Sequence, residues 1–198
     1  MKKRTDFFYK ITMRFIDLIA AMFILVVMSW LLLLIFVWIK LETTGPAIFQ
    51  QKRVGLGGRM FICNKFRTMH EGTEDAASHL ISPARITKSG KFLRATKLDE
   101  LPQAWNILLN EMAIVGPRPC LPSQKELIAE RIQRNVLTIK PGITGWSQIR
   151  SIDMSDPCKL ARSDAEYLEL RSVMNDIKIM ILTVLGKGQG DKVSSSKP

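Results

Sequence analysis

The sequence predicts an α+β fold, predominantly helical, with an N-terminal membrane-embedded helix joined to a small cytosolic domain that carries short strands. Three observations predict it. Ile19–Ile39 contains no charged residue and, at about 1.5 Å per residue, reaches roughly 30 Å as a helix. Downstream, brief apolar runs bounded by glycine and proline read as strands. Toward the C-terminus, apolar residues return at helical spacing. The organisation that follows is a membrane-associated helix at 1–40, a domain at 41–186 with interfacial helices at its edge, and a disordered tail rich in Gly, Ser and Lys at 187–198.

The apolar run is preceded by Lys2, Lys3, Arg4, Lys10 and Arg14 and followed by Lys40 and Glu42. It is too long for the core of a cleavable signal peptide, and no small-residue cleavage motif follows. The upstream cations place the N-terminus in the cytoplasm. Two arrangements are open. A straight span, favoured by hydropathy, puts everything after Lys40 outside. A helix that enters, bends and leaves by the same face keeps the remainder in the cytosol. Ser29 lies mid-run, where its hydroxyl can bond a carbonyl one turn back and bend the helix, and Trp30 follows it.

After Thr43-Thr44-Gly45-Pro46, Ala47–Gln51 reads as a strand. Val54-Gly55-Leu56-Gly57-Gly58 reads as a hairpin turn, because neither a GKS/T sequence nor a helical pattern follows to make it a phosphate loop. Met60–Thr68 is the second strand, and alternation places Lys65 and Arg67 on one face with Phe66 on the other. Glu71–Pro83 is acidic and unpatterned, a mobile loop, with His70 and His79 as solvated histidines. Lys88, Lys91, Arg94 and Lys97 recur every third residue and form one cationic helical face. Ala113–Val115 is a short buried strand that runs into Gly116-Pro117-Arg118-Pro119. Two prolines constrain that backbone and aim one guanidinium, whose planar fork suits phosphate oxygens. Lys140–Trp146 is a second loop punctuated by Gly and Pro. Asp156–Leu170 is predicted helical, and Val173–Leu185 forms an apolar helical face that packs on the domain or lies in the membrane interface.

The net charge of +11 and pI near 9.8 call for an anionic partner: nucleic acid, acidic lipid or a phosphorylated substrate. Cys63, Cys120 and Cys158 are scattered, so neither a disulfide framework nor a zinc site is indicated, and reduced thiols suit a cytosolic domain. Against the basic background stand Asp99 and Glu100, in Lys97-Leu98-Asp99-Glu100-Leu101-Pro102-Gln103. Adjacent carboxylates repel. They make sense where a cation sits between them or where one attacks an electrophile. Pro102 suits a first helical turn, so the pair opens the segment Leu101–Asn110, where unpaired N–H groups favour anions. On residue type alone, two acids that merely cap a helix explain the pair equally well.

Five motifs in order carry a resemblance: Arg14-Phe15-Ile16-Asp17, Lys65-Phe66-Arg67-Thr68-Met69, Leu98–Gln103, Gly116-Pro117-Arg118-Pro119, and Pro141-Gly142-Ile143-Thr144-Gly145. The chain resembles the small monotopic phosphoglycosyl transferases, bacterial sugar transferases that begin glycoconjugate assembly on polyprenol phosphate. The resemblance implies transfer of a sugar 1-phosphate from a UDP-sugar to undecaprenyl phosphate with release of UMP. It implies Asp99 as the nucleophile that becomes a covalent phosphosugar, Glu100 as ligand to Mg²⁺, and Lys65, Arg94 and Arg118 as contacts to phosphates or substrate. Arg67 is added from its shared face with Lys65. A re-entrant helix at the bacterial cytoplasmic membrane, with the catalytic domain facing the cytoplasm, is likewise implied. Two departures stand out. The family's helix breaks at Ser-Pro, whereas this chain has Ser29-Trp30. A Gly-Arg pair usual after the Pro-Gly-Ile-Thr-Gly loop is absent, and two readings are open: Arg150 is a candidate substrate-binding residue at a shifted position, or sugar recognition there differs.

The expected partners are therefore the UDP-sugar, polyprenyl phosphate and membrane lipids. Nucleic acid is not expected, since no recognition-helix or RNP-like pattern is present. Nothing in the sequence specifies an oligomeric state. Two other classes compete: a membrane-tethered polyanion-binding module that uses the net charge, and a metal-dependent phosphatase that uses the same carboxylates.

Overall fold

A computed structural model of the chain describes residues 2–72 and 83–188. Two helical limbs, α1 (Lys2–Met22) and α2 (Ser29–Glu42), are joined by a π-helical turn at Phe23–Val27. They are followed by an antiparallel hairpin of β1 (Ile48–Val54) and β2 (Met60–Phe66). Next come α3 (Lys88–Thr96), a 3₁₀ turn at Leu98–Glu100, α4 (Gln103–Leu108) and β3 (Ala113–Val115). The remainder comprises α5 (Lys125–Gln133), β4 (Gly142–Thr144), α6 (Trp146–Ile149), α7 (Pro157–Leu170) and α8 (Val173–Val184). β3 and β4 pair in parallel, Ala113 opposite Gly142 and Val115 opposite Thr144. Most of the predicted loop at 71–83 and of the tail from 187 lies outside the described residues.

The straight helix that hydropathy favours does not form. The limbs meet at 61°, and among the described residues no single helix is long and apolar enough to cross a bilayer. The cause is local. Met28 N–H bonds back five residues to Phe23 O (3.1 Å), and Met28 itself leaves helical geometry at φ −92°, ψ 12°. The Ser29 hydroxyl donates to Val26 O at 2.8 Å, so the serine competes for a backbone acceptor at the bend. A π turn thus bends the helix without proline, and Ser29 opens the second limb with Trp30 exposed beside it.

α1 buries a narrow stripe, Met13, Asp17 and Ala21, at spacing four. Its Arg14 donates to the carbonyls of Ile107 (2.7 Å) and Leu108 (3.2 Å) at the C-terminal end of α4. Asp17 accepts from Ile114 N–H at 2.9 Å. The Arg14–Asp17 motif is therefore a clamp between α1, α4 and β3. α2 buries only Ile35 and Ile39, against Ala47, Phe66 and Leu93. Its other face exposes Trp30, Leu33, Leu34, Phe36, Val37, Trp38 and Leu41.

α3 is tied at its start from two sides. Thr87 caps Gly90 N–H at 2.9 Å, and Glu42 accepts from Lys88 N–H (2.7 Å) and Ser89 N–H (2.9 Å). Gly90 lets the helix press on the strand exit: a Cβ there would lie 2.0 Å from Thr68 O. α3 ends at Lys97 in the left-handed conformation (φ 58°), which turns the chain directly into Leu98–Glu100. α5 and β4 were not predicted. α5 lacks a side-chain cap, and β4 is three residues long inside a Gly/Pro-rich segment. α8 divides its apolar residues, burying Ile179 while Met174, Ile181 and Val184 stay exposed.

Glycine in a helix usually costs about 1 kcal/mol relative to alanine, so Gly→Ala normally stabilises. Gly90→Ala should do the reverse and destabilise by about 3 kcal/mol through backbone overpacking. Thermal melting of the purified variant checks this, and an unchanged or raised midpoint would refute it.

Candidate active site

Asp99 and Glu100 sit in the tight turn between α3 and α4, at 8% and 7% exposure. Burying two adjacent carboxylates is costly unless cations compensate. Compensation is one-sided. Glu100 Oε1 receives Arg118 at 2.9 Å and Lys65 at 3.1 Å. Asp99 accepts no hydrogen bond and makes no ion pair among the described residues. Burial and the neighbouring Glu100 push its carboxyl up to about 6, against the pull of Lys65, Arg94 and Arg118. Burial also tends to raise Glu100, but Arg118 and Lys65 outweigh it and hold that group ionised well below the usual carboxylate range.

Each cation comes from a different element. Lys65 is the penultimate residue of β2. Arg94 lies on the last turn of α3, half-buried, close enough to favour the Asp99 anion. Arg118 belongs to the loop after β3, and that loop is clamped at each residue. Gly116 N–H donates to Thr144 O and Gly142 N–H to Pro117 O, both at 2.9 Å. Arg131 NH1 donates to Arg118 O and Arg53 NH1 to Pro119 O, again at 2.9 Å. Arg131 is in turn held by Asp164 at 2.7 Å with both side chains 2% exposed, and Ser147 donates to Asp164 Oδ1 at 2.6 Å. The loop and β4 approach so closely that a Cβ on Gly142 would lie 2.1 Å from Gly116 N, and one on Gly145 2.2 Å from Gly116 O. The Pro-Gly-Ile-Thr-Gly motif is thereby explained as the buttress that aims Arg118. Arg53, Arg131 and Asp164 lie outside the sequence motifs. A charge of each sign at helical positions within α5 and α7 was the one available signal, and it pairs only in three dimensions.

Two sequence candidates are bonded elsewhere. Arg67 lies just beyond β2, with NH2 donating to Thr43 Oγ1 (2.5 Å) and Thr43 O (3.3 Å) near the end of α2. Alternation groups it with Lys65, but the strand has ended at Phe66, so the shared face is not kept. Arg150 is exposed, ion-paired to Glu166 and stacked over Trp146 at 5.3 Å, so it braces α6 on α7.

The pair suits a hard divalent cation. The cationic contacts given fall on Oε1 of Glu100, and the neighbouring Asp99 carboxylate carries no hydrogen bond or ion pair among the described residues, so a cation beside the pair would meet an unengaged carboxylate. Mg²⁺ takes one or two carboxylates, with substrate phosphate and water completing its shell. Among the described residues no three His, Cys, Asp or Glu side chains converge as a metal cage.

The family described as bacterial sugar transferase matches residues 8–188. The uncharacterized sugar transferase EpsL of Bacillus subtilis is 37% identical over 171 residues, covering 86% of this chain and 84% of that protein. The UDP-glucose:undecaprenyl-phosphate glucose-1-phosphate transferase of Caulobacter vibrioides is 38% identical over 180 residues, 86% of this chain and 67% of that one. The undecaprenyl-phosphate glucose phosphotransferase of Komagataeibacter xylinus is 36% identical over 184 residues, and the chain spans only 35% of its length.

Asp99→Asn removes a buried charge that lacks a hydrogen bond and abuts Glu100, so it should stabilise the metal-free protein by about 2 kcal/mol at neutral pH. The folded-state carboxyl titrates above its unfolded value, so wild-type stability is favoured at low pH and falls as pH rises through about 6. The advantage of Asp99→Asn should therefore be small near pH 4, grow up to about 6 and then level off. Melting curves across that range without divalent cations test this. An advantage that shrinks with rising pH would contradict it.

Proposed function

Since the chain belongs to the bacterial sugar transferase family, we propose that it transfers a sugar 1-phosphate from a UDP-sugar to undecaprenyl phosphate and releases UMP. The observation that supports this best is the asymmetry of the carboxylate pair. Glu100 is neutralised by two cations, whereas Asp99 is buried beside them with no hydrogen bond to blunt it. A nucleophile needs that freedom and a charge partner does not.

In this reading an Asp99 carboxylate oxygen attacks the β-phosphorus of the UDP-sugar. The new O–P bond forms as the bond from that phosphorus to the bridging oxygen breaks, and UMP departs with the electron pair. A phosphate oxygen of the polyprenyl phosphate then attacks the same phosphorus and returns Asp99 as a carboxylate. Splitting the displacement in two lets one site serve a soluble donor and a lipid acceptor in turn. Lys65, Arg94 and Arg118 draw the diphosphate toward Asp99 and offset the repulsion between anionic nucleophile and anionic substrate. Glu100 and Asp99 would hold Mg²⁺, which supplies a positive charge on the phosphate oxygens.

The acceptor is a lipid, and the two apolar limbs meet that requirement. Their exposed side chains, from Phe7 to Leu41, form an apolar surface far beyond what a soluble monomer carries. A 61° bend lets such a pair dip into one leaflet and return, keeping the site at the cytoplasmic face of a bacterial membrane.

UMP release from a panel of UDP-sugars, UDP-glucose first, tests the reaction. With undecaprenyl phosphate and Mg²⁺ the full chain should release UMP, EDTA should stop it, and Asp99→Asn should lower the rate at least about 10³-fold while remaining folded. Full turnover in Asp99→Asn would remove the nucleophile assignment. Inorganic phosphate produced without a lipid acceptor would instead indicate a phosphatase, and salt-sensitive polyanion binding indifferent to Asp99 would indicate a binding module. For topology, single cysteines introduced near Lys3 and Lys192 in a cysteine-free background should label from the same side. Labelling from opposite sides would overturn re-entry.

A further inference from the structure

The backbone from Leu98 to Trp105 is wound tightly. Leu101 N–H donates to Leu98 O (3.3 Å), Ala104 N–H to Leu101 O (3.0 Å) and Trp105 N–H to Pro102 O (3.1 Å), each three residues back. Side chains three apart are therefore eclipsed. Glu100 and Gln103 stand three apart in this stretch, and Asn106 follows three further on within α4, at 7%, 2% and 1% exposure. The ends of this row are satisfied by β2. Lys65 bonds Glu100. Asn106 donates to Ile62 O (2.6 Å) and Glu111 Oε2 (2.7 Å) and accepts from Asn64 N–H (3.0 Å).

Gln103, between them, is different. Its Nε2 is fully buried and has no hydrogen-bond partner among the described residues. A buried donor left unsatisfied costs about 1–3 kcal/mol, and methionine or leucine would fill the same space without that penalty. The amide stands one eclipsed step from Glu100, and through it beside the Lys65 and Arg118 cations that attract an anion.

We propose that Gln103 is a further catalytic residue: its Nε2 donates to a non-bridging oxygen of the phosphoryl group as that group passes from the donor to Asp99. This rests on the transferase reading above. Gln103 exchanges no proton and forms no covalent bond. It is a neutral, fixed donor that meets charge developing on the phosphoryl oxygens, and its lack of a partner in the resting protein leaves it free to do so. The row then divides the work along one edge of α4: Glu100 anchors cations, Gln103 addresses the phosphoryl group, and Asn106 pins the helix to β2.

Gln103→Met keeps length and bulk and deletes the donor. In the full chain with UDP-glucose (or the donor that the panel identifies), Mg²⁺ and undecaprenyl phosphate, kcat for UMP release should fall about 10- to 100-fold with KM within about threefold. The melting temperature should stay level or rise, because an unsatisfied buried donor has been removed. Gln103→Glu, which keeps the shape and replaces the donor with an acceptor, should be at least as slow. Wild-type turnover in Gln103→Met overturns the proposal. So does a raised KM at unchanged kcat, or a fall in melting temperature that accompanies the lost activity, since that marks a structural role. A wild-type chain that releases no UMP from any UDP-sugar defeats the transferase reading and this proposal together. An active wild type with an unaffected Gln103→Met defeats only the proposal.

Discussion

Burial of two adjacent carboxylates at the turn between α3 and α4 is the constraint on which the rest of the structure depends. Neither charge is tolerated there by itself, so cations must converge from elements far apart in sequence, Lys65 from β2 and Arg118 from the loop after β3. They converge on Glu100 alone. That choice makes two chemically similar neighbours into different groups, one neutralised and one poised. It is achieved by geometry, not by residue type, because both side chains are acids on the same turn.

A guanidinium can hold Glu100 in place only if its own backbone does not move. The protein secures this with a second tier of buried charge. Arg131, neutralised by Asp164, grips the carbonyl of Arg118, and Arg53 grips that of Pro119. β4 completes the support through contacts so close that glycine is required on both sides. A buried ion pair of this kind is a poor source of stability. Its value here is positional, since breaking it would release the arginine that bonds Glu100.

The same logic joins the bent helix pair to the site. Arg14 and Asp17 lock α1 onto the end of α4 and onto β3, while Glu42 caps the start of α3 from the end of α2. Each limb therefore touches an element that leads directly to Asp99–Glu100 or to Arg118. In the proposed reaction, a lipid acceptor that approaches along the apolar limbs would meet the carboxylates with no flexible linker between.

Much of this was legible in the sequence. The apolar limbs, the hairpin, the strand before Arg118, the helices from 157 and 173, and the carboxylate pair all follow from periodicity, from Gly and Pro placement, and from the chemical oddity of Asp99-Glu100. Local rules are strong at those positions, and the ordered motifs add the reaction class. α5 and β4 were missed where local signals are weak, in an uncapped helix and a three-residue strand, whereas the bend expected near Ser29 is present and is made by a π turn without proline. Arg67 was grouped with the site by strand alternation and Arg150 by its place after the Pro-Gly-Ile-Thr-Gly loop, and the fold bonds them to Thr43 and to Glu166 and Trp146. The sequence by itself determined which residues could do phosphate chemistry, because that depends on side-chain type and on backbone freedom within a few residues. Only the tertiary structure decided which of them meet, which carboxylate is neutralised, and which buried amide is left without a partner. Those outcomes are set by pairings across long sequence separations, and no local pattern encodes them.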